Sequence, residues 1–98
     1  MPSKQLDEAK QALVTRRASL RCGEVTDLLE QLGFVVRSGR AGHKVYTHPG
    51  LKEFATSSYN CGHGKNPEVK SAYISSILRV LEAHETALRA YLDENDND

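Results

Sequence analysis

The chain has 98 residues, 39% of them hydrophobic, with 13 Lys and Arg balanced by 13 Asp and Glu and a mean hydropathy of −0.53. That suffices for one small core; no apolar run approaches the roughly 20 residues of a membrane span, and the opening residues lack the apolar stretch of a secretion signal. Two cysteines, Cys22 and Cys61, are too few for a disulfide framework and point to a reducing cytoplasm, so a knottin, a membrane protein and a large multidomain enzyme are excluded.

In chain order, Leu6, Ala9 and Leu13 mark a helix over residues 3–18 whose thin apolar stripe needs a partner. Val25, Leu28, Leu29 and Leu32 fall on one helical face, and Gly33 can close that helix, predicted at 22–32, in a left-handed conformation. Three short strands follow at 34–37, 43–47 and 53–57, joined by the Ser38–Gly42 turn and by His48-Pro49-Gly50. Asn66-Pro67-Glu68 reads as N-cap, first-turn proline and first-turn acid of a long helix over 67–92. The fold class is therefore α+β, a two-layer α-β-β-β-α core with a three-stranded antiparallel sheet. Residues 1–19 form an N-terminal helical extension, 20–82 the core, and 83–98 a helical extension ending in an acidic, disordered tail.

The balanced charge is unevenly spread. Residues 1–50 hold eight bases and five acids, whereas 51–98 hold five and eight. Between residues 31 and 67 the single acid, Glu53, faces Arg37, Arg40, Lys44, Lys52 and Lys65, and His43, His48 and His63 lie in the same stretch. Such a region attracts phosphate.

No phosphate-cradling loop, serine elbow or other cofactor motif is present, so no cofactor is expected. Cys61-Gly62-His63 offers two metal donors without a second regular pair, which is too little for a zinc site; Cys61 reads instead as a small apolar residue. His43 is more informative. It opens a strand after Gly42, where backbone can approach a ligand closely, and a neutral imidazole beside cations is the minimum equipment for cutting RNA without metal. The imidazole takes the ribose 2′-hydroxyl proton, and cations steady the charge on the phosphoryl oxygens. Tyr46 and Tyr59 are candidates for base stacking, with packing against a helix the plainer role. His84 lies on the apolar stripe of the last helix as a boundary core residue.

Residues 20–82 resemble the HicA family of toxins, mRNA interferases with a fold similar to double-stranded-RNA-binding domains. The resemblance rests on Leu28-Leu29-Glu30-Gln31-Leu32-Gly33-Phe34, on Ala41-Gly42-His43-Lys44-Val45-Tyr46-Thr47-His48-Pro49, on His63 in its loop and on Ser71–Leu78. It covers about two thirds of the chain. It implies a toxin-like, metal-independent endoribonuclease acting on mRNA in a type II toxin–antitoxin system, with His43 catalytic as general base and a HicB-type antitoxin protein as partner. His48 or His63 would protonate the leaving 5′-oxygen, and Lys44, Arg40, Arg37 and Lys65 would contact RNA phosphate. The family's Gly-Ser pair is here Ala41-Gly42 and its second histidine is Lys44, a point charge rather than a neutral base. That departure keeps a non-catalytic RNA-binding or regulatory module open as the second reading. The two extensions imply packing on each other or a homodimer through the terminal helices.

Overall fold

The computed structural model describes residues 4–62 and 64–95. Four helices and one sheet follow in the order α1 (Lys4–Thr15), α2 (Cys22–Gln31), β1 (Val35–Ser38), β2 (His43–Thr47), β3 (Ser57–Asn60), α3 (Ser71–Ala83) and α4 (Glu85–Asn95). The sheet is an antiparallel meander ordered β1-β2-β3. None of these helices is long and apolar enough to cross a membrane.

The core forms where the helical stripes meet one sheet face. Val25 and Leu29 of α2, Ile74, Ile77 and Leu81 of α3, and Tyr46 and Tyr59 of the sheet are all buried in one cluster. Burial of this apolar area, at about 25 cal/mol per Å², is the main force holding the layers together. Gly33 ends α2 as its spacing predicts, with φ +95°. The Thr26 and Tyr59 hydroxyls meet at 2.7 Å, so the buried phenol keeps a polar partner.

The N-terminal helix joins the same cluster through Leu6, Ala9 and Leu13, and α4 joins it through Leu88 and Leu92. Lys10 reaches Glu85 at 2.8 Å, and Arg89 bridges Asp7 at 2.8 Å and Glu85 at 3.0 Å. The apolar stripes that called for cover are thus covered within one chain, which removes the reason for a homodimer through the terminal helices.

Three elements differ from expectation. The third strand lies at Ser57–Asn60 rather than 53–57, because Phe54 leaves the ladder to pack against Phe34 and Tyr46. The long helix breaks at His84, which carries no helix breaker but stacks against Phe54, and the bend turns α4 back onto the core. Asp93 and Glu94, read as disordered tail, belong to α4; residues 96–98 lie outside the described residues.

Asn66-Pro67-Glu68 does not open α3, which starts at Ser71. Residues 67–69 run beside residues 20–22 instead. Arg21 and Glu68 form an isolated antiparallel β-bridge, the Cys22 N–H donates to the Pro67 carbonyl at 2.9 Å, and the Val69 N–H donates to the Leu20 carbonyl at 2.9 Å. Asn66 is a cap after all, but of α2: its Oδ1 accepts the Gly23 N–H at 2.6 Å.

Cys22 and Cys61 are joined by a disulfide with Cα atoms 5.4 Å apart. Cys61 is buried, as a small apolar residue would be, but it is a disulfide partner rather than a free thiol, which corrects that reading of the residue.

Candidate functional site

Side chains alternate across a strand, and β2 shows what this does. Tyr46 points into the helical layer and is fully buried, which places Lys44 on the covered side too and His43, Val45 and Thr47 on the open side. Directly paired residues share a face, so the register adds Val35 and Arg37 from β1 and Ser58 and Asn60 from β3. These seven strand positions carry one imidazole, one guanidinium, five hydroxyl, amide or valine side chains around them, and no carboxylate.

His43 is exposed at the hairpin end of this face. Its ring makes no hydrogen bond or ion pair with any described residue. A Cβ built at Gly39 would stand 3.6 Å from His43 Cδ2, so a glycine there leaves the imidazole uncovered. Arg37 pairs with Val45 and is the diagonal neighbour of His43, a relationship that sets Cα atoms roughly 7–8 Å apart. Arg40 lies in the turn that leads into His43, exposed and without an acidic partner among the described residues.

The turn itself is unusual. Ala41 and Gly42 both have positive φ, 52° and 80°, and the His43 N–H donates to the Arg40 carbonyl at 2.9 Å, as in the tight hairpin turns that match strand twist. The close approach that Gly42 permits is used by the chain itself. A Cβ at Gly42 would lie 2.2 Å from the Gly62 carbonyl oxygen, and the Cys61 N–H donates to the Gly42 carbonyl at 2.8 Å. The expectation of ligand contact at Gly42 is replaced by contact with the Cys61–Gly62 segment.

Lys44 lies on the strand face opposite His43, as alternation along β2 expects. It faces the helical layer, where its Nζ donates to Ser38 Oγ at 2.6 Å and it lines a crevice with Cys22, Thr26 and Asp27. His48 is set apart from His43 by burial. It is 6% exposed, its Nδ1 accepts the Gly50 N–H at 3.0 Å and its Nε2 lies 2.8 Å from the Leu32 carbonyl. That pair of partners selects the neutral tautomer with hydrogen on Nε2. Burial pushes its pKa below the ordinary value, against the smaller opposing pull of the Leu32 carbonyl. With both nitrogens used and the ring wedged between Phe34 and Tyr91, His48 organises the fold.

Lys65 is exposed in the loop after β3, and His63 lies outside the described residues. Tyr46 and Tyr59 are both fully buried, so neither presents a ring to a base. One residue escaped the sequence reading: Asn60 pairs directly with His43, and its Oδ1 accepts the Gly62 N–H at 2.7 Å. No periodicity marks it, because it enters the site only once the third strand lies at 57–60. No protein-family model, curated protein or solved structure matches this chain.

Proposed function

We propose that this chain is a HicA-like endoribonuclease that cleaves mRNA without a metal, with His43 as general base. The observation that carries the reading is an exposed, unpartnered imidazole on a sheet face that has no carboxylate and has Arg37 and Arg40 close by. An imidazole in its neutral form accepts a proton. It takes the 2′-hydroxyl proton, the freed oxygen attacks the adjacent phosphorus, and the bond to the 5′-oxygen breaks. The products are a 2′,3′-cyclic phosphate and a 5′-hydroxyl. Arg37 and Arg40 stabilise the charge that gathers on the non-bridging oxygens, and Lys65 adds to the field that draws RNA in.

The open face has no Phe, Tyr or Trp among its described strand positions. Bases therefore find no large stacking platform there, and recognition runs mainly through sugar and phosphate. Cleavage should consequently tolerate sequence and be sharply sensitive to salt. A cytoplasmic setting and a HicB-type antitoxin that covers His43 complete the toxin–antitoxin reading.

A non-catalytic RNA-binding module is the second reading, and one observation favours it. Lys44 stands where HicA-like proteins carry a second histidine, yet it faces the covered side of the sheet and bonds Ser38. No second proton carrier therefore stands beside His43 on β2. Incubating the protein with end-labelled RNA and a chelator separates the two. Cyclic-phosphate ends support the nuclease, and salt-sensitive binding to intact RNA supports the module.

A further inference from the structure

We infer that Cys22 and Cys61 form a reversible thiol–disulfide site that controls the order of the hairpin bearing His43. The bond joins residues 39 apart in sequence, the first residue of α2 and the residue that follows β3. Its position relative to His43 is what gives it an effect. Cys61 follows Asn60, the direct partner of His43, and its N–H donates to Gly42, the residue before His43. The covalent bond thus anchors to a helix a backbone link that holds the turn against the following loop.

Little else holds that loop. Gly62 and Gly64 both have positive φ and open space where a Cβ would be, and residues 62, 64, 65 and 66 are all exposed. Its other described ties are exposed ones: Gly62 N–H to Asn60, Gly23 N–H to Asn66 Oδ1, and the Arg21 guanidinium to the Asn66 carbonyl at 3.1 Å. With few buried contacts, such a segment opens locally at small cost once the bond is cut.

The site is also reachable. Cys61 is buried, but Cys22 is only partly covered and both line the open crevice that Lys44 enters. Reduced Cys22 would sit in the first turn of α2, where the helix end favours an anion, with Lys44 lining the same crevice. Oxidation by a peroxide then runs in two steps. The Cys22 thiolate attacks a peroxide oxygen, the O–O bond breaks and a sulfenic acid forms with loss of hydroxide or alkoxide. The Cys61 thiolate next attacks the Cys22 sulfur, the S–S bond forms, and the S–O bond breaks with hydroxide leaving as water after taking a proton. Two thiols lose two electrons and the peroxide gains them. A cellular dithiol reverses the reaction by exchange at the partly covered Cys22 sulfur, through a mixed disulfide that its second thiol resolves. In a reducing compartment the bond is then conditional, and the hairpin is firm only under oxidation.

This inference uses the nuclease reading for its consequence but not for its test. Amide hydrogen exchange is measured on the full chain after treatment with oxidised or reduced dithiol, together with a Cys22→Ser/Cys61→Ser double variant. The residue 61 amide is expected to exchange at least tenfold faster in the reduced protein and in the double variant, while the Tyr46 amide stays protected in all three. The double variant should ignore the redox treatment. Equal exchange at residue 61 in both redox states overturns the inference, as does a protein that retains two titratable thiols in oxidised dithiol. RNA cleavage assayed alongside should fall several-fold on reduction. An exchange difference in a chain that neither cuts nor binds RNA in either state would sink the nuclease reading and support the redox site.

Discussion

Tyr91 stands nearly perpendicular to the imidazole of His48, with ring centroids 4.6 Å apart at 82°. A helix from the C-terminal extension thus packs directly against a residue of the 20–82 core. The ring fits because two glycines make room: a Cβ at Gly33 would lie 2.6 Å from Tyr91 Cε1, and one at Gly50 would lie 2.4 Å from Cδ2. Gly33 and Gly50 belong to the core stretch, Tyr91 to α4, and His48 holds the two loops together beneath the ring.

His48→Ala should cost roughly 2–4 kcal/mol, because it opens a cavity and leaves the Leu32 carbonyl and Gly50 N–H without their partner. The intact protein should also lose stability in mild acid. Burial lowers the His48 pKa in the folded state, while the unfolded chain takes up its proton near the ordinary 6.5. Below that pH the unfolded state binds more protons, so stability falls from about pH 6.5 downward until the depressed folded pKa is passed. Urea titrations between pH 7.5 and 5 should show this slope in the parent and a flatter one in His48→Gln.

Asn66 caps α2 through Gly23, 43 residues before it, so its loss should register at both ends of that contact. Asn66→Ala removes the cap and also places a Cβ residue at φ 50° without the local bonding that favours asparagine there. A destabilisation of about 1–2 kcal/mol is expected. Asn66→Gly keeps the backbone conformation accessible and should cost less. Chemical denaturation of the two variants gives the comparison.

Ala41 and Gly42 should respond in opposite directions to substitution. Ala41 sits at φ 52° with a Cβ, so Ala41→Gly relieves about 1 kcal/mol of strain, part of which is offset by the freer unfolded chain. Gly42→Ala adds strain of the same kind and drives a methyl into the Gly62 carbonyl, and should cost about 2 kcal/mol or more. Melting curves on the pair test whether the turn is as tight as the backbone shows.

The helix over Val25–Leu32 and the strand at 43–47 were legible in the sequence because each is local: one depends on 3.6-residue spacing with a terminating glycine, the other on β-branched and aromatic residues between two turns. What escaped depended on partners far along the chain. Phe54 is a plausible strand residue until Phe34 and Tyr46 draw it into the aromatic cluster. Asn66-Pro67 carries a true capping signal, but the sequence does not say which helix receives it. His48 looked equivalent to His43 by composition and differs by burial alone. The Cys22–Cys61 pair is a tertiary fact of the same sort. At the site, the face shared by His43 and Arg37 follows from the strand register, and Asn60 became visible only with the third strand in place.

The central claim is that the His43 imidazole removes a proton from ribose. The most direct measurement compares the parent and His43→Ala on a labelled oligoribonucleotide in chelator, with circular dichroism on the same samples. The parent should yield 2′,3′-cyclic phosphate ends, and an oligonucleotide with a single 2′-deoxy substitution should resist cleavage at that position. His43→Ala should lose at least about a hundredfold in rate, within the usual contribution of a general base, with an unchanged helical spectrum. An alanine variant that cuts RNA at the parental rate would contradict the account.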